Sequence, residues 1–303
     1  MSSADGKKPL TARERASYRG QNAALRGLFA LVLALPYRWR VPLMGWLTSH
    51  IIAPLAGWRN RVRRNLALVH PDMPHPEVEA LARRVPDNAG RTLIEIYSGA
   101  EFIRRARAAP IEGPGLAALE QARQTGRPAI LVTAHFGNYD VARAALIARG
   151  HNMGALYRPM RNPYFNAHYV RAIGRIGQPL FAQGRRGMMQ LVRHLRDGGV
   201  LGILTDLHAR DGVALPFLGQ PAMTSLVTAE LALKYDAVLI PTFGIRAPDG
   251  LNFTIRMEAP VPHTSPTEMT LAINHQLESL LAAHPEQWFW IHRRWKTKKK
   301  NRG

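Results

Sequence analysis

The sequence predicts an α/β fold with a central, mostly parallel sheet flanked by helices. Three observations lead there. Short apolar runs rich in β-branched residues recur at 129–132, 200–205 and 237–243, and such runs read as buried strands. Stretches of helical length separate them, at 162–176, 187–197 and 224–235. Each run is punctuated by Gly, Pro or Asn, which mark turns. Strand–helix alternation of this kind builds a substantially parallel sheet.

Taken in order, residues 1–19 form a polar tail, expected to be poorly ordered at its start. Residues 20–64 form a helical segment with two apolar stretches, 27–35 and 41–58. The second is interrupted by Pro42, His50 and Pro54. Neither reaches the roughly 20 clean apolar residues that a spanning helix needs. Trp39, Trp46 and Trp58 sit among arginines, a composition suited to the headgroup layer of a bilayer. The expectation is therefore an N-terminal membrane-associating segment, interfacial rather than spanning.

The α/β domain is expected over 65–296. Helices are read at 77–84, 88–107 and 115–124, with Pro71, Pro74 and Pro76 in a loop between the first of these and the preceding segment. The strand at 129–132 follows, then strands at 154–157, 179–181, 200–205, 237–243 and 253–257. A long helix over 266–283 closes the series, and a basic tail occupies 297–303.

The chain has 303 residues, no cysteine and a formal charge of +20. Without cysteine there are no disulfides, thiolate metal sites or Cys nucleophile. The charge is unevenly placed. Residues 1–64 carry 12 Lys/Arg against 2 Asp/Glu, and residues 290–303 carry 7 against none, so the body is close to balanced. Basic ends suit an anionic membrane surface, nucleic acid or an acidic carrier protein.

In parallel sheets chemistry gathers where strands end. His135, Arg158 and Asp206 each stand just past the end of a predicted strand. His135 is followed by Gly137-Asn138 and then Asp140, so a His and an acid straddle a strand-to-helix turn. Across a turn a carboxylate can hold an imidazole in one tautomer, which makes His135 and Asp140 the expected base and orienter. No Gly-x-Ser-x-Gly surrounds a serine, so the nucleophile is expected to be a substrate hydroxyl or water. Arg158 and Arg161 lie in a loop held by Pro159 and Pro163, and guanidinium forks suit phosphate or carboxylate. Asp206, His208 and Asp211 show no established metal-ligand spacing, so neither a metal nor a cofactor is expected. The aromatic-basic run 284–295 is open to a core, a membrane-interface or a single-strand-binding reading.

These motifs together resemble the lipid A biosynthesis acyltransferases, the lauroyl/myristoyl transferase family within the wider glycerolipid acyltransferases. The matching pieces are His135-Phe-Gly-Asn-Tyr-Asp140, Tyr157-Arg-Pro-Met-Arg-Asn-Pro163, Asp206 with Pro216-Phe-Leu-Gly219, and Pro285-Glu-Gln-Trp-Phe-Trp-Ile-His-Arg-Arg-Trp-Lys296. They cover about residues 20–296. Asp140 stands where many members have Glu, and Leu207 where many have Gln.

The resemblance implies transfer of an acyl chain from acyl carrier protein to a hydroxyl of a lipid A precursor, at the cytoplasmic face of the inner membrane. It implies His135 and Asp140 as the catalytic pair. Asn138, Arg158, Arg161 and Asp206 are the expected substrate-binding residues, with the two arginines on acceptor phosphate or the developing oxyanion. Acylation of another glycolipid or aminolipid, with acyl-CoA as donor, is the nearest alternative. A hydrolase using water at the same pair is the next. Nucleic acid is not an expected partner, because the middle of the chain is nearly neutral.

Overall fold

The computed structural model describes residues 10–296. The first residues of the expected N-terminal tail and the expected basic tail at 297–303 lie outside the described residues. In chain order the elements are α1 (Ala12–Leu33), α2 (Tyr37–Leu47), a π-turn (Thr48–Ile52), α3 (Ala53–Leu55), α4 (Trp58–Val69), α5 (His75–Tyr97) and α6 (Ala100–Ala108). Then come β1 (Ile111–Glu112), α7 (Gly115–Thr125), β2 (Ala129–Thr133), α8 (Val141–Ile147), β3 (Met153–Tyr157), α9 (Pro163–Ile176), β4 (Leu180–Ala182) and α10 (Arg185–Arg196). The chain continues through β5 (Val200–Leu204), β6 (Val213–Phe217), β7 (Gln220–Thr224), α11 (Val227–Lys234), β8 (Val238–Arg246), β9 (Phe253–Met257) and α12 (Pro266–Ala283).

Seven strands form one sheet in the order β1-β9-β8-β2-β5-β3-β4, and β6-β7 form a separate hairpin. The run from β8 to β4 is parallel, whereas β9 is antiparallel to β8. Side chains alternate across the sheet. Ala129 and Leu131 face a cluster built with α1, α2, α5, α8 and α9. Ile130 and Val132 face a cluster built with α10, α11 and α12. Both faces are thus covered, which is why these strands read as continuous apolar runs.

Several expectations change. The break expected between the helices at 77–84 and 88–107 is absent: α5 runs through Pro86 and ends at Tyr97, capped by Ser98 before Gly99 at φ +56°. Its buried face, from Leu81 to Tyr97, outweighs the lost backbone bond, and the Ser49 hydroxyl donates to the Arg83 carbonyl beside the affected turn (2.8 Å). The helix expected from Thr224 starts at Val227, because 213–224 form the β6-β7 hairpin. Helix α1 begins at Ala12, within the expected polar tail, on a capping box of Thr11 and Glu14.

The N-terminal helices are half-buried. Phe29, Val32, Tyr37, Val41 and Met44 face the core, and Arg40 turns inward to pair with Glu101. No helix among the described residues is long and apolar enough to cross a membrane.

Candidate active site

His135 and Asp206 are brought together by register. Strands β2 and β5 are adjacent and parallel, with Thr133 opposite Leu204. Two residues beyond each end stand His135 and Asp206. The Asp206 Oδ1 accepts from His135 Nδ1 at 2.9 Å, and Oδ2 accepts from the His135 backbone N–H at 3.0 Å and from Trp288 Nε1 at 2.9 Å. The Asp206 side chain is fully buried and the His135 side chain is a quarter exposed. Burial alone would push the Asp206 carboxyl up; the adjacent His135 ring and the hydrogen bonds from His135 outweigh it and hold it well below the usual carboxylate range. A carboxylate on Nδ1–H leaves the Nε2 lone pair as the base.

The turn after His135 is shaped by backbone constraints. Gly137 sits at φ +50°, and a Cβ there would stand 1.9 Å from the Gly244 carbonyl oxygen; glycine alone fits both conditions. The Gly137 carbonyl accepts from Thr92 Oγ1 (2.7 Å), and its N–H donates to the Gln287 carbonyl (2.9 Å). Phe289 N–H donates to the His135 carbonyl at 2.9 Å. The C-terminal aromatic run therefore clamps the site. Trp288, Trp290 and Arg294 are buried, so the core reading of that run holds for these three.

Three expected roles change. Asp140 does not hold His135. Its Oδ1 accepts from Arg143 Nε at 2.7 Å, at the start of α8, and both side chains are nearly buried. Asn138 is fully buried: its amide donates to Glu95 Oε2 at 2.8 Å and its Oδ1 accepts from the Asp140 N–H. That leaves Asn138 holding the turn, out of a substrate's reach. Asp206, expected to bind substrate, has its oxygens taken by His135 and Trp288. Arg158 and Arg161 are exposed, just past the end of β3. Strand β3 is parallel to β5 with Ala155 opposite Gly202, so this register brings Arg158 to the same end of the sheet as Asp206.

His292 was not among the expected site residues. Its ring meets that of His135 edge to face, with centroids 4.7 Å apart, and Phe289 and Tyr139 complete the surround. The only signal in the sequence was its place within the aromatic-basic run. Burial first, then the neighbouring His135, pushes the His292 ring down to about 4. The ring stays neutral where an ordinary histidine titrates. Donor atoms of His135, Asp206 and His292 lie within 4.8 Å of one another, but a cation there would compete with the hydrogen bonds that join His135 to Asp206.

The depressed His292 pKa makes a stability prediction. The unfolded chain binds a proton at 6.5 that the folded chain resists until about 4, so the contribution is complete above the unfolded value and is lost as pH falls through that window. Its full size is roughly 3 kcal/mol. Replacing His292 by Gln should make the stability drop between pH 7 and pH 5 smaller by about 2 kcal/mol, measured by urea denaturation. An equal drop in both proteins would refute a buried neutral ring.

The model of the family described as bacterial lipid A biosynthesis acyltransferase matches residues 13–297. The chain belongs to that family. Among its relatives is a lipid A biosynthesis lauroyltransferase of Escherichia coli (strain K12), 27% identical over 278 residues and 90% of each chain. A lipid A biosynthesis acyltransferase of Haemophilus influenzae is 26% identical, over 88% of this chain and 87% of that one. A phosphatidylinositol mannoside acyltransferase of Mycobacterium tuberculosis is 24% identical, over 79% of this chain and 78% of its own length. As a member of this family the chain is an O-acyltransferase. The matched span contains His135, Asp206 and the whole of the C-terminal clamp.

Proposed function

We propose that this acyltransferase moves a fatty acyl chain from an acyl-carrier-protein thioester to a hydroxyl of a lipid A precursor, with His135 as general base and Asp206 as its orienter. The observation that carries the mechanism is the 2.9 Å contact between His135 Nδ1 and Asp206 Oδ1. The Nε2 lone pair takes the proton of the acceptor hydroxyl as its oxygen attacks the thioester carbonyl. Asp206 stabilises the imidazolium that forms. Collapse of the tetrahedral intermediate breaks the C–S bond, and the departing thiolate takes the proton from Nε2. No acyl-enzyme is required, in keeping with the absence of cysteine and of a serine elbow. Arg158 and Arg161 are the proposed partners of acceptor phosphate.

The proposed location is the cytoplasmic face of the inner membrane, with the N-terminal segment lying in the interface. Leu31 and Leu55 are 75% and 85% exposed, and Trp39, Trp46 and Ile51 are about half exposed. They lie on the outward sides of α1, α2 and the turns that follow, among exposed Arg26 and Arg38. Aromatic and basic side chains in that mixture favour the headgroup layer.

A second reading, acylation of a different glycolipid, draws support from the phosphatidylinositol mannoside relative. That relative covers less of the chain than the lipid A enzymes do, which favours lipid A. The test is mass spectrometry of products formed by the purified chain on anionic vesicles carrying lipid A precursor, supplied with acyl carrier thioester. A precursor heavier by one acyl group, formed on co-floating protein, is the expected result. Acylation of phosphatidylinositol mannoside in place of lipid A precursor would select the second reading, and free fatty acid alone would mean hydrolysis.

A further inference from the structure

Helix α10 carries a cationic face that the mechanism does not use. Its inner side packs Leu191 and Leu195, both fully buried, against the sheet. Its outer side presents Arg186, Met189, Gln190, Arg193 and Arg196, all exposed. These positions recur at helical spacing, so they share one surface. None of the three arginines pairs with an acid among the described residues, and Met189 is 64% exposed at their centre.

The N-terminal part of this arrangement is unfavourable for the helix itself: Arg185 and Arg186 sit in the first turn, where the helix dipole disfavours positive charge, whereas Arg193 and Arg196 sit in the last turn, where it favours it. Like charges at neighbouring positions repel by a few tenths of a kcal/mol per pair. An arginine surface around one flexible apolar side chain is suited to an acidic protein face.

Placement indicates which one. Helix α10 starts directly after β4, so its Arg186 end lies at the same end of the parallel sheet as His135, and the helix carries Arg193 and Arg196 back along the sheet toward the strand starts. Strand β4 is three strands from β2, or about 14 Å at the usual strand spacing of about 4.8 Å. Helix α10 also covers the sheet face opposite to α1 and α2, so it remains open when the N-terminal helices lie on a membrane. It exposes one large apolar side chain, whereas the N-terminal face exposes several.

We propose that the Arg186–Met189–Arg193–Arg196 face of α10 docks the acidic surface of the acyl carrier protein, so that the thioester arm reaches His135 around the edge of the sheet. The proposal rests on the carrier being the acyl donor. The test is the full chain carrying Arg186→Glu, Arg193→Glu and Arg196→Glu, whose side chains are exposed, with its fold checked by circular dichroism. Two donors bearing the same chain are compared, acyl carrier protein and the acyl-pantetheine thioester. The expected result is a rise of at least tenfold in KM for the carrier-borne donor, with kcat/KM for acyl-pantetheine and flotation on anionic vesicles unchanged. The KM of the unmodified chain for the carrier should also rise with salt, and that of the variant should not. An unchanged KM for the carrier, a parallel loss with both donors, or lost flotation would overturn the docking site. If the unmodified chain uses the carrier no better than acyl-pantetheine, the donor assignment itself fails, and the docking site with it.

Discussion

His135→Ala is expected to lower transfer by the folded fraction roughly 10²–10⁴-fold, the usual contribution of a positioned general base. Some stability should be lost as well, because the ring donates to the buried Asp206 carboxylate and packs against Tyr139, Phe289 and His292. Asp206→Asn is expected to produce a loss of similar order, because an amide oxygen cannot stabilise the imidazolium and an amide N–H would favour the wrong tautomer. Asp140→Asn is the contrasting case. It weakens the bond to Arg143, a buried arginine that also donates to the Gly177 and Ile173 carbonyls. Stability should fall by roughly 1–3 kcal/mol, with the turnover of the folded fraction within a few-fold of the original. The measurement is kcat from a thioester-release assay beside the unfolding midpoint of each variant. A large kcat loss in folded Asp140→Asn, with Asp206→Asn active, would reverse the assignment of the orienting acid.

Glu95→Ala should be the most destabilising single change near the site. Glu95 is fully buried and takes two bonds from Arg246, with Arg246 Nη2 to Glu95 Oε2 at 2.8 Å, and a third from Asn138. Arg246 also donates to Asn88 Oδ1 and Thr92 Oγ1. Removing the acid leaves a buried guanidinium without its counter-charge, a loss of about 3–5 kcal/mol. Activity should fall as well, because Asn138 and Gly137 shape the turn that carries His135. Replacing both partners, as Glu95→Leu with Arg246→Met, should recover part of the stability, since the uncompensated charge is gone. Chemical denaturation of the two variants checks this; a Glu95→Ala loss below 1 kcal/mol would mean that water reaches Arg246.

The same network explains why sequence reading misplaced Asn138. Its place in the motif beside His135 put it among the substrate-binding residues that the family resemblance implies. Its burial depends on α5, some 43 positions upstream, whose Glu95 and Thr92 meet the turn only in the folded chain. Pro86 taught the converse. Its local preference to end a helix yields to the continuous buried face of α5.

By itself the sequence determined the strand–helix alternation, the positions of β2, β3, β5 and α12, and the placing of His135 at a strand end. These are local properties: apolar runs, caps and turn residues act within a few positions of each other. It also carried the family likeness, through motifs spread along the chain. The partner of His135 was decided only by tertiary structure. Strands β2 and β5 are neighbours in the sheet although β3 and β4 lie between them in the chain. Asp206 therefore meets His135 from 71 positions away, while Asp140, five positions on, turns with α8 toward Arg143. Proximity in sequence offered a pair, and the order of strands selected another, because a carboxylate bonds the donor that the folded backbone places within 3 Å of it.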